Sequence, residues 1–283
     1  MHVTRRNTTD VPMQILREKA KMIRREVIRL TDLCGSGHYG SAFSIAELLV
    51  VLYYQLLHVR PDDPAWVDRD RFTMGKGHAA IGLYPVLADL GFFPRSQLDT
   101  YTRLGSCLGD HPDMRKVRGA DFSSGSIGHN LSVSLGMALG LRLRRSAARV
   151  VCLMGDGEQT QGQIWEAAIA GAHYKLNNLV GIVDINQVGS DGRTREVMDT
   201  APLLDKWRSF GWHVIDLEDG HDLNHVFTCL NDALNNDREQ PVVVLARTVA
   251  GKGVSFMEGT FRWHLGWLGP RDLERAYAEI DEG

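Results

Sequence analysis

The sequence predicts an α/β protein with a mostly parallel sheet and helices on both faces of that sheet. Three short apolar runs rich in β-branched residues, at 150–154, 179–183 and 242–247, read as buried strands. Helical patterns separate these runs, and strands that alternate with helices are typical of parallel sheets. A chain of 283 residues with 43% hydrophobic and 24% charged residues fits one large domain.

The other elements follow from apolar spacing and turn residues. Residues 1–12 carry no such spacing and are expected to form a flexible N-terminal arm. The patterns then predict helices over 13–30, 42–57, 81–90, 131–143, 159–173, 202–210 and 222–235, and strands at 71–74 and 212–217. The Gly-rich stretches 35–40 and 105–129 predict loops, which often carry functional residues.

Composition excludes several classes of protein. A formal net charge of −3 argues against general binding to nucleic acid or to membranes. The N-terminus lacks the apolar core of a signal peptide, and the most apolar predicted helix is shorter than a membrane span. The four cysteines are widely spaced without a CxxC pair, which favours reduced thiols over disulfides or a zinc site. We therefore expect a cytoplasmic protein.

Two polar residues stand where neighbouring strands end. Asp156 lies in a Gly-Asp-Gly turn directly after the strand at 150–154, and Asn186 follows the strand at 179–183. Ligands of open parallel sheets bind at the carboxyl ends of the strands. Mg2+ prefers a few protein oxygens together with phosphate oxygens and water. The spacing therefore predicts a Mg2+–diphosphate site.

The stretch GDGEQTQGQIWEAAIAGAHYKLNNLVGIVDIN resembles the thiamine diphosphate (ThDP) fingerprint of the transketolase family, and the resemblance runs from about residue 13 to residue 270. It implies ThDP and Mg2+ as cofactors, with Asp156, the Asn186 side chain and the Val188 carbonyl as metal ligands. The cofactor-binding residues that it implies are His78, Gly125, Ile127, Gly155, Asp156, Gly157, Glu158, Asn186 and His264. Among these, Gly125 and Ile127 would contact the aminopyrimidine ring.

Four histidines occupy Gly-rich loops: His38 in GSGHYG, His78 in GKGHAA, His111 in GDHPD and His264 in FRWHLG. Imidazole suits proton transfer because its ordinary pKa lies near neutrality. A single histidine in such a loop is more often an ordinary surface or core residue, but these four loops also match loops of transketolases. The resemblance implies that the four histidines are catalytic, contacting substrate oxygens and transferring protons. It also implies a catalytic role for Glu166, which matches part of an acidic relay between active sites.

The resemblance covers only the first domain of a full-length transketolase. The family continues with a pyrimidine-binding domain, which carries the glutamate that protonates the cofactor, and with a C-terminal domain. We therefore expect residues 13–283 to form a single pyrophosphate-binding domain, the N-terminal subunit of a split transketolase. With a separate partner subunit, in a heterotetramer, it would transfer a two-carbon ketol (dihydroxyethyl) unit from a ketose, expected to be a ketose phosphate, to an aldehyde acceptor.

Four positions depart from the family pattern. Gln161 stands where the family has a relay glutamate, and His129 and Asn130 replace a Gln-Gly pair. Tyr39 replaces a proline, and its ring is expected near the substrate channel. Together these departures favour a specialised acceptor.

Two alternatives remain open. The first is the α subunit of a ThDP-dependent 2-oxo acid dehydrogenase, which is also a two-chain enzyme. The second is a non-catalytic scaffolding subunit, although such a protein would not need the Asp156–Asn186 pair or the loop histidines. A Rossmann dehydrogenase is disfavoured, because no GxGxxG follows the first strand.

Overall fold

The computed structural model describes residues 11–283. Its strands are β1 (Arg71–Met74), β2 (Val150–Gly155), β3 (Leu179–Ile185), β4 (His213–Leu217) and β5 (Val242–Arg247). They form one sheet in the spatial order β1-β2-β3-β5-β4, and every pairing in it is parallel. All five predicted strands are present, with small differences at their ends.

Helices cover both faces of the sheet, which confirms the predicted fold class. The helices are α1 (Met13–Cys34), α2 (Tyr39–Phe43), α3 (Ala46–Val51), α4 (Ala80–Asp89), α5 (Asn130–Leu143), α6 (Gly162–His173), α7 (Thr194–Val197), α8 (Leu203–Ser209), α9 (Leu223–Leu234) and α10 (Pro270–Glu282). One apolar cluster joins Val151 and Val180 to α1, α3, α4, α9 and α10, and a second joins Val150 and Val183 to α5, α6 and α8. Adjacent strand residues thus enter different clusters, as expected for strands buried on both faces.

The single helix predicted over 42–57 is wrong in detail. The segment is buried as predicted, but α2 ends at Phe43, α3 begins at Ala46, and a π-helical turn follows at Leu52–Leu56. At the break, the Ser44 hydroxyl donates a hydrogen bond of 2.7 Å to Asp184 on β3. The same hydroxyl lies 3.2 Å from the Ser41 carbonyl, and such local bonds from a side chain to the backbone compete with regular helix geometry.

The loops that follow β1, β2, β3 and β5 gather at the carboxyl edge of the sheet. There, a 3-10 turn at Gly157–Thr160 precedes α6, so this helix begins later than predicted. Within residues 11–283 no helix is long and apolar enough to cross a membrane. The predicted arm at 1–12 lies outside the described residues, except for its last two positions.

Candidate cofactor and catalytic site

A cavity of about 490 Å³ opens at the carboxyl edge of the sheet. Eleven of the thirteen predicted site residues line it: His38, His78, His111, Ile127, Gly155, Asp156, Gly157, Glu158, Asn186, Val188 and His264. Residues that sequence patterns did not point to also line it, among them Ser41, Lys76, Thr160, Asp191, Thr194, Val197 and Met198. The fold therefore brings together side chains from widely separated loops.

Gly125 and Glu166 do not line this cavity. The loop of Gly125 nevertheless packs against the turn of His78, because a Cβ on Gly77 would lie 3.1 Å from the Gly125 nitrogen. Glu166 lies on the exposed face of α6. Its catalytic role stays a prediction, and that role would require a second chain against α6.

Asp156 is a buried carboxylate at the end of β2, only 4% exposed. It accepts hydrogen bonds from the backbone N–H groups of Gly157 (2.8 Å) and Gln187 (2.9 Å) and from the Thr194 hydroxyl (3.1 Å). Burial, reinforced by the nearby charge of Asp184, still raises the pKa of Asp156 to about 6. A carboxylate that is costly to ionise in isolation is one that a bound cation would stabilise.

Hydrogen bonds hold the amide of Asn186 in one orientation. Its Nδ2 donates to Asp184 at 2.9 Å, and its Oδ1 accepts from the Val188 N–H at 3.0 Å. The next residue, Gln187, donates its backbone N–H to the Asp156 carboxylate and has a φ of 63°. Left-handed backbone at a residue other than glycine is uncommon and concentrates at functional sites.

A buried ion pair lies behind these residues, and sequence patterns did not predict it. The Lys76 ammonium contacts the Asp184 carboxylate, and their side chains are 3% and 0% exposed. The same carboxylate accepts hydrogen bonds from the hydroxyls of Ser44 and Thr248. The pair connects the loop after β1 to β3, next to Asn186. Asp184 interrupts an apolar strand, which was the only signal available in the sequence.

We expect Lys76→Met to lower the free energy of unfolding by about 3–5 kcal/mol, because it leaves Asp184 buried without its counter-charge. Urea unfolding of the variant and of the wild-type chain measures this loss. The matched control is Lys175→Met, which breaks a 2.6 Å pair with Glu239 whose side chains are 62% and 80% exposed. The control should leave stability nearly unchanged, because solvent already screens this exposed pair. Equally small losses in both variants would contradict a structural role for the buried pair.

Three of the site histidines pack against one another. The ring centroids of His38 and His78 are 5.0 Å apart, those of His78 and His264 5.3 Å, and those of His38 and His264 5.6 Å. Burial, followed by the charge of Lys76, lowers the pKa of His78 to about 2. Burial, followed by the proximity of His38, lowers the pKa of His264 to about 4. At neutral pH both rings are therefore uncharged, each with one N–H donor and one acceptor nitrogen.

A short antiparallel bridge holds two histidine loops together. Gly37, beside His38, and Gly266, near His264, exchange two backbone hydrogen bonds of 3.0 Å. A Cβ on Gly37 would overlap the Thr31 hydroxyl, so only glycine fits at this position. The bridge places the two imidazoles on the same side of the cavity.

Glu158 connects the loop before α5 to the end of β2. Its carboxylate accepts hydrogen bonds from the N–H groups of Gly128 (2.8 Å) and Gly155 (3.1 Å). Burial raises its pKa to about 7. A Cβ on Gly75 would lie 2.5 Å from its oxygens, so this side chain is tightly enclosed. It also lines the cavity, and its contact with a cofactor stays a prediction.

The prediction that the Tyr39 ring lies near the substrate channel is wrong. Tyr39 is 1% exposed, and its ring packs against Phe43 and Trp263. As the first residue of α2, it points into the core instead. The other departures also lie off the cavity: His129 is exposed at the start of α5, Asn130 is buried and bonds Ser124, and Gln161 packs against Gly128.

The residues present fit a Mg2+–diphosphate group. Among residues 11–283, no group of three or more His, Cys, Asp or Glu side chains could hold a metal ion. The Asp156–Asn186 pair instead suits a cation that completes its coordination with phosphate and carbonyl oxygens. A Cβ on Gly157 would meet only Thr194, at an ordinary 3.8 Å. Its missing side chain therefore leaves space for a ligand that the protein itself does not fill.

Fold and cavity together define an α/β domain of the class that binds its ligand at the carboxyl ends of parallel strands. A comparison with protein families agrees. Residues 15–280 match the family model described as "Transketolase, thiamine diphosphate binding domain". The chain therefore belongs to the transketolase family.

Relatives of similar length are named as subunits. The chain is 38% identical over 267 residues to a 6-deoxy-6-sulfo-D-fructose transketolase subunit of Clostridium sp. (strain MSTE9), covering 94% of this chain and 96% of that protein. It is 36% identical over 270 residues to an apulose-4-phosphate transketolase subunit of Phocaeicola vulgatus, covering 95% of each chain. These relatives favour the transketolase prediction over the 2-oxo acid dehydrogenase alternative.

A solved transketolase has the same fold. The structure of transketolase from Campylobacter jejuni superposes with a TM-score of 0.89 at 26% identity. The match covers 96% of this chain but 43% of that one. This chain thus spans less than half the length of that transketolase chain.

Proposed function

We propose that this chain is the N-terminal, pyrophosphate-binding subunit of a two-chain transketolase. With a separate pyrimidine-binding subunit, it transfers a two-carbon ketol unit from a ketose to an aldehyde. One observation carries the proposal: the Asp156–Asn186 pair and the four loop histidines line a single cavity. A scaffolding subunit has no use for that arrangement.

ThDP and Mg2+ are the proposed cofactors. Asp156, Asn186 and the carbonyl of Val188 would hold the metal, the space at Gly157 would admit the diphosphate, and Ile127 would contact the pyrimidine ring. When bound, ThDP supplies the carbanion chemistry of ketol transfer. The protein supplies orientation, hydrogen bonds and proton transfer at the substrate oxygens.

The histidines divide this work according to their surroundings. His78 and His264 are buried and uncharged at neutral pH, so they hydrogen-bond substrate oxygens without adding charge to the cavity. The side chain of His111 is 39% exposed and reaches the cavity from a surface loop, where a substrate hydroxyl arrives. The side chain of His38 is 14% exposed, which is less than that of His111, and its ring packs against the buried ring of His78.

A partner subunit is proposed to cover the cavity. Val197 and Met198 line it, and Phe261, Leu265 and Trp267 flank His264 along the chain; all five side chains are 51–62% exposed. Large apolar and aromatic side chains exposed as a group are typical of protein interfaces. The partner completes a heterotetramer, proposed to be cytoplasmic, in which Glu166 can approach a second chain.

The proposed donor is a ketose with an anionic end, as the names of the two relatives suggest. Among the described residues that line the cavity, the only lysine is Lys76, and Asp184 already neutralises it. The partner is therefore proposed to bind the anionic end. This chain is proposed to act on the carbonyl end, where its histidines lie.

The deciding experiment is aldehyde release from xylulose 5-phosphate by this chain with ThDP, Mg2+ and its candidate partner. We expect glyceraldehyde 3-phosphate with both chains present and none with either chain alone. Oxidation of pyruvate with an artificial electron acceptor would favour the dehydrogenase alternative instead. A stable complex that retains ThDP but releases no aldehyde from any ketose phosphate would refute the proposal.

A further inference from the structure

Asp110 lies between two site histidines without lining the cavity itself. Its Oδ1 is 3.5 Å from Nδ1 of His38, and its Oδ2 is 3.3 Å from Nδ1 of His111. Each carboxylate oxygen therefore faces one imidazole, and it faces the same ring nitrogen in both. This leaves Nε2 of each ring for the cavity.

The contact with His38 says more about the position of the ring proton than the contact with His111 does. Its Nδ1 is buried and has no hydrogen-bond partner among the described residues apart from this carboxylate at 3.5 Å. A carboxylate oxygen only accepts hydrogen bonds, so this contact favours the tautomer in which Nδ1 carries the proton. The two histidines come from loops far apart in the sequence, and Asp110 connects them.

Two buried tyrosines hold Asp110 in place. The hydroxyl of Tyr101 donates to its Oδ1 at 3.1 Å, and the hydroxyl of Tyr84 donates to the Gly109 carbonyl at 2.8 Å. Burial raises the pKa of both phenols, so both remain donors. The contact with His38, the largest of several contributions, lowers the pKa of Asp110, which is therefore ionised at neutral pH.

We propose that Asp110 is a positioning residue that determines the tautomer of His38 and His111, by accepting a hydrogen bond from Nδ1–H of each ring. In a neutral imidazole only one nitrogen carries the proton, and the partner of one nitrogen determines the state of the other. Each Nε2 is then an acceptor that faces the substrate. This inference rests on the proposed function, because the substrate hydroxyl is the group from which Nε2 would accept a proton.

The chemical consequence is a direction for proton transfer. A substrate O–H bond breaks as an N–H bond forms at Nε2, and the resulting imidazolium is stabilised by the Asp110 carboxylate. The same proton returns to a substrate oxygen later in turnover, so the residue is regenerated. With the opposite tautomer, Nε2 would already carry a proton and could not accept one.

The tautomer can be measured directly on the full chain, without any partner. In 15N-histidine NMR spectra, with rings assigned by His38→Gln and His111→Gln, we expect Nδ1 to carry the proton in both histidines. Asp110→Asn should shift at least one of the two rings toward Nε2–H, because its amide places an NH2 donor against one Nδ1 and leaves a single oxygen acceptor for the other. The control is Asp113→Asn in the same loop, whose carboxylate bonds Arg115 and Ser123 and should leave the tautomers unchanged. Nε2–H rings in the wild-type chain, or tautomers unchanged by Asp110→Asn, would overturn the proposal.

A second readout uses the assembled complex. Asp110→Asn should lower kcat roughly 10- to 100-fold while KM for the ketose changes less than about threefold, since the rings keep their places. ThDP retention should be unchanged. Full kcat in this variant would also overturn the positioning role. If the wild-type complex transfers no ketol unit, the proposed function fails, whereas the tautomer measurement still decides the assignment of Asp110.

Discussion

Asp156→Ala is expected to abolish Mg2+-dependent retention of ThDP. The carboxylate is the only charged oxygen ligand proposed for the metal, and its burial means that water cannot easily replace it. We expect the Kd for ThDP in the presence of Mg2+ to rise at least roughly 100-fold, which corresponds to about 3 kcal/mol. Isothermal titration of the purified chain, with its partner where binding requires it, measures this change.

The matched control is Asp191→Ala. Asp191 also lines the cavity but is exposed, and no role in metal binding is proposed for it. Its substitution should change the Kd for ThDP less than about threefold. Full ThDP retention by Asp156→Ala would break the metal assignment.

The raised pKa of Asp156 also predicts a pH effect on the ligand-free chain. Its pKa moves from 3.8 to about 6 on folding, so the folded state binds the proton more tightly than the unfolded state. The contribution of this group to stability therefore falls as pH rises through that window. Asp156→Asn removes the titration and should lose less stability than the wild-type chain between pH 4 and pH 6 in urea unfolding. If the free energies of unfolding of the two chains changed equally with pH, Asp156 would not titrate in this range.

His264→Ala is expected to lower turnover of the assembled complex roughly 10- to 1000-fold. The buried, uncharged ring packs against His78 and lines the cavity, so its loss removes a hydrogen-bond partner for the reacting oxygens. Aldehyde release at saturating ketose measures kcat, and ThDP titration shows whether the cofactor site survives.

His225→Ala serves as the control, because His225 is exposed on α9 away from the cavity. It should leave turnover unchanged. His264→Gln keeps a side chain that can both donate and accept, and should recover part of the activity lost in the alanine variant. Unchanged turnover in His264→Ala would remove this residue from the mechanism.

Local patterns in the sequence predicted the elements of this fold because those patterns reflect local constraints. Apolar runs marked the buried strands, and residues that follow such runs had to meet at one edge of a parallel sheet. This is why the positions of Asp156 and Asn186 could be predicted together. The loop histidines needed the family resemblance, since glycine-rich loops do not reveal by spacing where they converge.

What could not be predicted depends on contacts between distant residues. Lys76 and Asp184 form an ion pair between distant parts of the chain, and the sequence around either residue does not indicate its partner. Tyr39 was misplaced because its orientation depends on where α2 begins, and helix ends are poorly marked in sequence. Sequence patterns also did not single out Asp110, because its contact with the distant His38 exists only in the folded chain.

The bridge between Gly37 and Gly266 has a consequence for biosynthesis. The two residues come from distant parts of the chain, so the cavity cannot close until the segment around residue 266 has left the ribosome. Contacts between such distant residues form late, because closing a long loop costs conformational entropy. The cofactor site is therefore completed near the end of folding. A nascent or truncated chain that lacks this segment would have an incomplete site.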